Sequence, residues 1–215
     1  MVTAVLVSWK RKANMPAIIG ALRAQTVPVE VWVINNDGFN DFGADRLIAI
    51  PWNAGEWVKY VFAARVETEY CWIQDDDILI GDNYFLEDAL AIHADKCPDH
   101  ILGTAGRGLQ YKSPYYWPDI VDRDGYANII KGHSLLFKSE LVRQARIPRH
   151  PSASDIVWSL DTGNGQPVHY VSKKLSRRME ALNQYGVGYE FRPEHIRERE
   201  TVCQDWLSER THALV

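Results

Sequence analysis

Cysteine is scarce in this chain: Cys71, Cys97 and Cys203 are the three in 215 residues, and they lie far apart. That spacing excludes a disulfide framework and a zinc knuckle. Cys71, inside an apolar run, reads as a small core residue. Long hydrophobic runs are missing as well, so no stretch is apolar for long enough to span a bilayer. A leader pattern is missing, because Lys10, Arg11 and Lys12 follow the first apolar run instead of preceding it. The expectation is a reducing, cytoplasmic setting. Charge of one sign does not dominate either. The formal net charge is −4, which is no global signature for nucleic acid. With neither repeats nor low-complexity segments, 215 residues point to one domain, or one with a small appended lobe.

What the chain does have is three consecutive aspartates, Asp75-Asp76-Asp77, straight after the apolar run Tyr70-Cys71-Trp72-Ile73-Gln74. Three adjacent like charges repel, so a strand end tolerates them when a cation compensates. Carboxylate oxygens suit hard divalent ions such as Mg²⁺ or Mn²⁺, which in turn can hold a diphosphate. The plainer alternative is a solvated acidic turn.

The order of elements weighs against that alternative. Strands are expected at Thr3–Ser8, Glu30–Asn35, Arg46–Pro51, Tyr70–Gln74 and near Ile101–Thr104. Helices are expected at Asn14–Gln25, Gly55–Glu67 and Tyr84–Ala94, with Met15, Ile18, Ile19 and Leu22 on one face of the first. Alternation with short connections argues for an α/β fold, a mostly parallel sheet covered by helices on both faces. Ligands of such sheets bind outside the carboxyl ends of the strands. Those ends here carry Trp9-Lys10-Arg11, Asn35-Asn36-Asp37, Asn53 and the three aspartates.

These residues carry a resemblance. The opening Val5–Arg11, the helix ending in Gln25-Thr26-Val27-Pro28, the run Val31–Asn36 and the Asn53-Ala54-Gly55 turn look like the nucleotide-binding half of GT-A-fold glycosyltransferases. Trp72–Ile80 resembles their DXD motif, and comes closest to the exostosin-like glycosyltransferases. Downstream, Lys131–Phe137 and Ala153–Val157 are similar to the glycine-bearing acceptor strand and the acidic catalytic segment. The resemblance implies a single GT-A (Rossmann-like) domain. Residues 1–105 would be its nucleotide-sugar half, and residues 106–215 its acceptor half with a C-terminal lid.

It also implies roles. Asp77 would ligate Mn²⁺ or Mg²⁺, Asp75 would contact the ribose, and Asp76 would assist one of them. Trp9 either stacks on the nucleobase or packs on the first helix. Asn36 or Asp37 would bond the base edge. Arg11 and Lys59 are cationic candidates for the diphosphate or sugar, although a helical lysine is commonly solvated. Asn53 could cap the next helix, contact the ligand, or both. Asp155, at the start of a short helix, is either an N-cap or the acid beside the anomeric carbon, a general base in inverting enzymes. Asp161 is its back-up. Late in the chain, His195 would be a further metal ligand, with Arg197 and Arg199 on the diphosphate and His169 as the competing histidine. Gly186 and Gly188 give Tyr185–Tyr189 the freedom to close as part of the lid.

The function these readings support is metal-dependent sugar transfer from a nucleotide sugar, a UDP-sugar first, of hexosyl or N-acetylhexosaminyl type. The acceptor would be a glycan, a protein or a modified nucleic-acid base; the aromatic loop Leu109–Pro118 either suits a sugar face or a nucleobase or is pinned to the core by its own rings. The alternatives are a nucleotidyltransferase, disfavoured because Ser8-Trp9-Lys10-Arg11-Lys12 lacks the glycines of a phosphate loop, and an inactive binding module of the same fold.

Overall fold

The first strand, β1 (Val2–Ser8), is buried along nearly its whole length, so both of its faces must be covered. It pairs in parallel with β2 (Val29–Asn35) on one side and β4 (Tyr70–Asp75) on the other, and β3 (Arg46–Ala49) adds to β2 in parallel. The computed structural model describes residues 1–109, 123–144, 153–182 and 194–212. The expected loops at Tyr185–Tyr189 and Gln110–Pro118 lie outside these residues.

The sheet continues past β4 with β10 (Ser134–Lys138), β6 (Leu102–Gly103), β11 (His169–Val171) and β8 (Gly125–Ala127), in the order β3-β2-β1-β4-β10-β6-β11-β8. Only β10 and β8 run against the other six strands. Two small pairs flank it: β5 (Ile78–Ile80) with β12 (Met179–Ala181), and β7 (Gly106–Arg107) with β9 (Ile129–Ile130).

Period-two alternation splits the strands between two apolar layers. Ala4, Leu6 and Trp72 join α1 (Met15–Arg23) and α3 (Phe85–Lys96) through Met15, Ile18, Leu22, Phe85 and Ala89. Val5, Cys71 and Ile73 join α2 (Val58–Ala63), α4 (Ser139–Gln144) and α5 (Ser154–Gly163) through Tyr60, Ala63, Val142 and Trp158. Each fully buried aliphatic or aromatic side chain contributes about 1.5–3 kcal/mol. All three cysteines are buried and unbridged. The remaining helices are α6 (Lys173–Ser176) and α7 (His195–His212).

Two helices are shorter than the periodicity predicts. Gly55 has φ +90°, outside the helical region, so α2 starts at Val58 instead of Gly55. It ends in tight turns in which Arg65 and Val66 donate to the carbonyls of Phe62 and Ala63 at 2.9 and 3.1 Å. In α1, residues Lys12–Asn14 form a 3₁₀ turn ahead of Met15. Conversely, β4 runs one residue further than expected and takes Asp75 into the ladder.

Candidate active site

The register aligns the carboxyl ends of the first strands. Ser8 is opposite Asn35, and Val7 is opposite Asp75. The antiparallel β10 starts opposite Gln74, so Gly132 and His133, which precede it, arrive at the same edge. The Asp75 N–H donates to the His133 carbonyl at 3.0 Å.

The three aspartates offset their mutual repulsion by pairing with two cations, Lys59 for Asp75 and Arg11 for both Asp76 and Asp77. Asp75 Oδ1 accepts from Lys59 Nζ at 2.9 Å. Asp76 is buried and accepts from the Trp9 N–H and from Arg11 Nη1, both at 2.8 Å, while its carbonyl accepts from Asn14 Nδ2 at 2.8 Å. Asp77 Oδ2 lies 3.3 Å from Arg11 Nη2, and its carbonyl accepts from Leu182 N–H at 2.7 Å. Burial pushes the Asp76 carboxyl up to about 6, against the Trp9 N–H and the Arg11 guanidinium. Asp76 therefore pins the loop after β1, and Arg11 is bound to the aspartates instead of facing solvent.

That loop is further shaped by Lys10, whose φ of +62° lies in the left-handed region. Its ammonium sits 4.5 Å from the centroid of the half-buried Trp9 ring. Next to it, Asn36 Nδ2 donates to the Gly55 carbonyl at 3.1 Å, while Asn36 Oδ1 and Ser8 Oγ are buried with no hydrogen-bond partner. Asp37 pairs with Lys12 at 3.1 Å. Asn53 does not cap a helix: its Oδ1 accepts from the Gly55 N–H at 3.0 Å in an Asx turn, and the cap position of α2 is Trp57.

A second cluster joins this edge from the other half of the chain. Asp155 is not an N-cap either. That position is Ala153, and Asp155 lies in the first turn of α5, 3% exposed. Its Oδ2 accepts from the Gly132 N–H at 3.1 Å and from Arg199 Nη2 at 2.6 Å. Burial would raise the Asp155 carboxyl, but the Arg199 guanidinium holds it below the usual carboxylate range. Asp155 Oδ1 is buried with no hydrogen-bond partner, as is the Tyr60 hydroxyl. Packing fixes α5 here, because Trp158 lies between Phe137 and Tyr60 with ring centroids 4.7 and 4.9 Å away. Each such pair adds about 0.5–1.5 kcal/mol.

Glu56 belongs to the same cluster and escaped the sequence reading. It accepts from Ser154 Oγ at 2.8 Å and lies 3.8 Å from Lys59 Nζ. Burial pushes it up more than Lys59 pulls it down. A carboxylate directly after the glycine of a strand-end turn was the available signal.

Other expected residues stand elsewhere. Asp161 accepts from Trp206 Nε1 at 2.7 Å and ties α5 to α7. His169 is a core residue: Nδ1 accepts from the Ile101 N–H at 3.2 Å and Nε2 donates to the Ser159 carbonyl at 2.7 Å, so neither ring nitrogen is open to a metal. Arg199 serves Asp155, Arg197 is exposed on α7, and His195 opens that helix, half-buried.

The donor set fits a hard dication sparsely held. Asp75 and Asp77 carry carboxylate oxygens at a site where, among the described residues, five carboxylates (Glu56, Asp75, Asp76, Asp77 and Asp155) meet three cations (Arg11, Lys59 and Arg199). Among the described residues no group of three or more His, Cys, Asp or Glu is placed to enclose a metal. One or two carboxylates completed by substrate phosphates is the usual Mg²⁺-type arrangement.

No family model matches the chain, and no curated protein sequence matches it. Solved structures do. S. aureus TarS 1-349 in complex with UDP-GlcNAc is 13% identical with a TM-score of 0.61, over 91% of this chain and 60% of that one. The mannosyltransferase PcManGT from Pyrobaculum calidifontis, in complex with GDP-Man and Mn²⁺, is 19% identical with a TM-score of 0.61, over 86% and 58%. The chain thus spans about three fifths of these neighbours' lengths. The likeness is one of fold, and it does not show the expected nearness to exostosin-like enzymes. The architecture of this chain, a mostly parallel sheet between helical layers in one domain, is the GT-A fold.

Proposed function

We propose that the chain is a metal-dependent glycosyltransferase that moves a hexosyl or N-acetylhexosaminyl group from a nucleotide sugar, a UDP-sugar first, to a hydroxyl acceptor. The observation that carries this reading is the meeting of Asp75 and Asp77 with Trp9 and Asn36 at one sheet edge, hydrogen-bonded to the cluster around Asp155. Neighbours of the same fold bind UDP-GlcNAc or GDP-Man with Mn²⁺, which supports it.

In this reading residues 1–105 hold the donor and the remainder serves the acceptor. Trp9 stacks on the base, the unpartnered Asn36 Oδ1 or the Asp37 carboxylate accepts from its edge, and Asp75 holds the ribose. Asn53 lines the same edge. Asp77 holds the dication, with His195 as a further ligand and Arg197 on the diphosphate. Mn²⁺ or Mg²⁺, when bound, neutralises the charge that develops on the leaving diphosphate. Arg11 and Asp76 keep the β1 loop against the motif. In an inverting transfer the acceptor oxygen forms its bond to the anomeric carbon as the bond to phosphate breaks. The electron pair of that bond leaves on the diphosphate, and the acceptor proton passes to Asp155 Oδ1. Arg199 and the Gly132 N–H keep Asp155 ionised and therefore able to accept it.

Hydrolysis of a panel of nucleotide sugars with Mn²⁺ tests the reading. We expect one of them to be turned over, and Asp77→Asn to remove most of that turnover, because an amide cannot replace a carboxylate on a hard dication. Full activity of Asp77→Asn, or of the wild type in excess EDTA, would sink the metal assignment.

A further inference from the structure

Lys59 sits where the two clusters meet. It comes from α2, and at 1% exposure its ammonium is closed off from a diphosphate. Its polar partners are oxygens, Asp75 Oδ1 at 2.9 Å, the Gly132 carbonyl at 2.8 Å and Glu56 Oε2 at 3.8 Å, with the Tyr60 ring centroid 5.9 Å away. Gly132 hands the connection on, since its N–H, in the preceding peptide group, donates to Asp155 Oδ2 at 3.1 Å. A connection therefore runs from the strand-end aspartate, through a buried cation and the two peptide groups that flank the Gly132 Cα, to the acid of α5.

Burying an ammonium is costly unless it is paired and hydrogen-bonded. Here the cost secures geometry. Holding Oδ1 of Asp75 fixes the rotation of that carboxylate, whose side chain is 32% exposed and faces the cleft edge. Holding the Gly132 carbonyl anchors the 132–133 peptide group, next along the chain from the 131–132 group whose N–H meets Asp155.

We infer that Lys59 is a positioning residue. It touches neither the donor nor the acceptor, but sets the Asp75 carboxylate for the ribose and, through the backbone on either side of Gly132, the Asp155 carboxylate for the acceptor hydroxyl. This rests on the reading above for what Asp75 and Asp155 contact. It differs from a direct role on the diphosphate in one measurable way. A lysine that bound phosphate would matter to a nucleoside diphosphate and not to the uncharged nucleoside. A lysine that orients a ribose ligand matters to both.

The test is calorimetry of UDP and of uridine, each with Mn²⁺, on wild type, Lys59→Met and Gly132→Ala. Lys59→Met should weaken UDP and uridine by a similar factor, about 10–100-fold, the usual scale for removing a group that orients a ligand-binding side chain. Gly132→Ala keeps every charge. Its added Cβ would stand 3.1 Å from Lys59 Nζ, 3.2 Å from Asp155 Cβ and 3.4 Å from the Tyr60 hydroxyl, close enough to push the ammonium without blocking the fold. It should show the same paired loss, smaller, and it carries the test if Lys59→Met fails to melt cooperatively. A loss confined to UDP, or no loss in either variant, overturns the positioning role and leaves the glycosyltransferase reading standing. A wild-type protein that binds neither UDP nor uridine overturns the donor reading itself, and the role of Lys59 with it.

Discussion

Asp155 and Arg199 form a buried ion pair, 3% and 5% exposed, whose members are 44 residues apart. Removing one charge strands the other in low dielectric, at a cost of about 3–5 kcal/mol. Asp155→Asn should therefore lower both stability and transfer. The double variant Asp155→Asn with Arg199→Met should regain much of the stability while transfer stays at least about 10²-fold down, the scale of a lost general base. Denaturant melts beside a turnover assay separate the two effects. Recovery of turnover with stability would make Asp155 a packing residue only. His169 gives a second residue-scale prediction. Burial depresses its imidazole from an ordinary value of 6.5 to about 4, because the folded state holds it neutral between Ile101 and Ser159. Between those two pH values the unfolded chain binds the proton and the folded one does not, so stability falls as pH falls. At pH 4.5 the loss relative to pH 7 should be about 2.5 kcal/mol. Asp76, raised to about 6, works in the opposite direction over the same range. The measurement is consequently a difference: His169→Gln should lose less stability than wild type between pH 7 and 4.5. Equal losses would refute the assignment.

Helix α7 carries few apolar side chains and depends on its seat. Trp206 Nε1 donates to Asp161, the Trp206 ring covers Gly165, and Arg199 reaches Asp155. Gly165 has φ +69°, and a Cβ there would meet the Trp206 ring at 2.7 Å. Gly165→Ala combines the left-handed penalty of about 1–2 kcal/mol with that collision. It should undock α7 selectively. Hydrogen exchange should show faster exchange in α7 amides and unchanged protection in β1 and β4. Uniform loss across the sheet would mean that α7 and the core unfold as one unit.

For the molecule as a whole, a ligand that binds only the folded state stabilises it by mass action. UDP with Mn²⁺ at a hundred times its Kd should contribute about 2.7 kcal/mol, a rise in Tm on the order of 5–10 °C for a chain of this size. EDTA should cancel most of the shift. A shift that survives EDTA would show nucleotide binding without the dication.

The sequence by itself determined the left half of the sheet. The runs expected at Thr3–Ser8, Glu30–Asn35 and Tyr70–Gln74 are largely apolar on both faces, as strands of a parallel sheet between helical layers are, and they form most of β1, β2 and β4. Asp75-Asp76-Asp77 marked its carboxyl edge because charge adjacency is readable along the chain. Tertiary structure decided what each charge does. The pairing of Asp75 with Lys59 and of Asp76 and Asp77 with Arg11, the pairing of Asp155 with Arg199 and the antiparallel entry of β10 next to β4 all join residues distant in sequence. Local propensity and periodicity carry no record of such contacts. Asp155 and Asn53 show the difference most plainly. Residue type and position made each a credible helix cap, and the turn geometry at Gly55 and the cap at Ala153 assigned them other work.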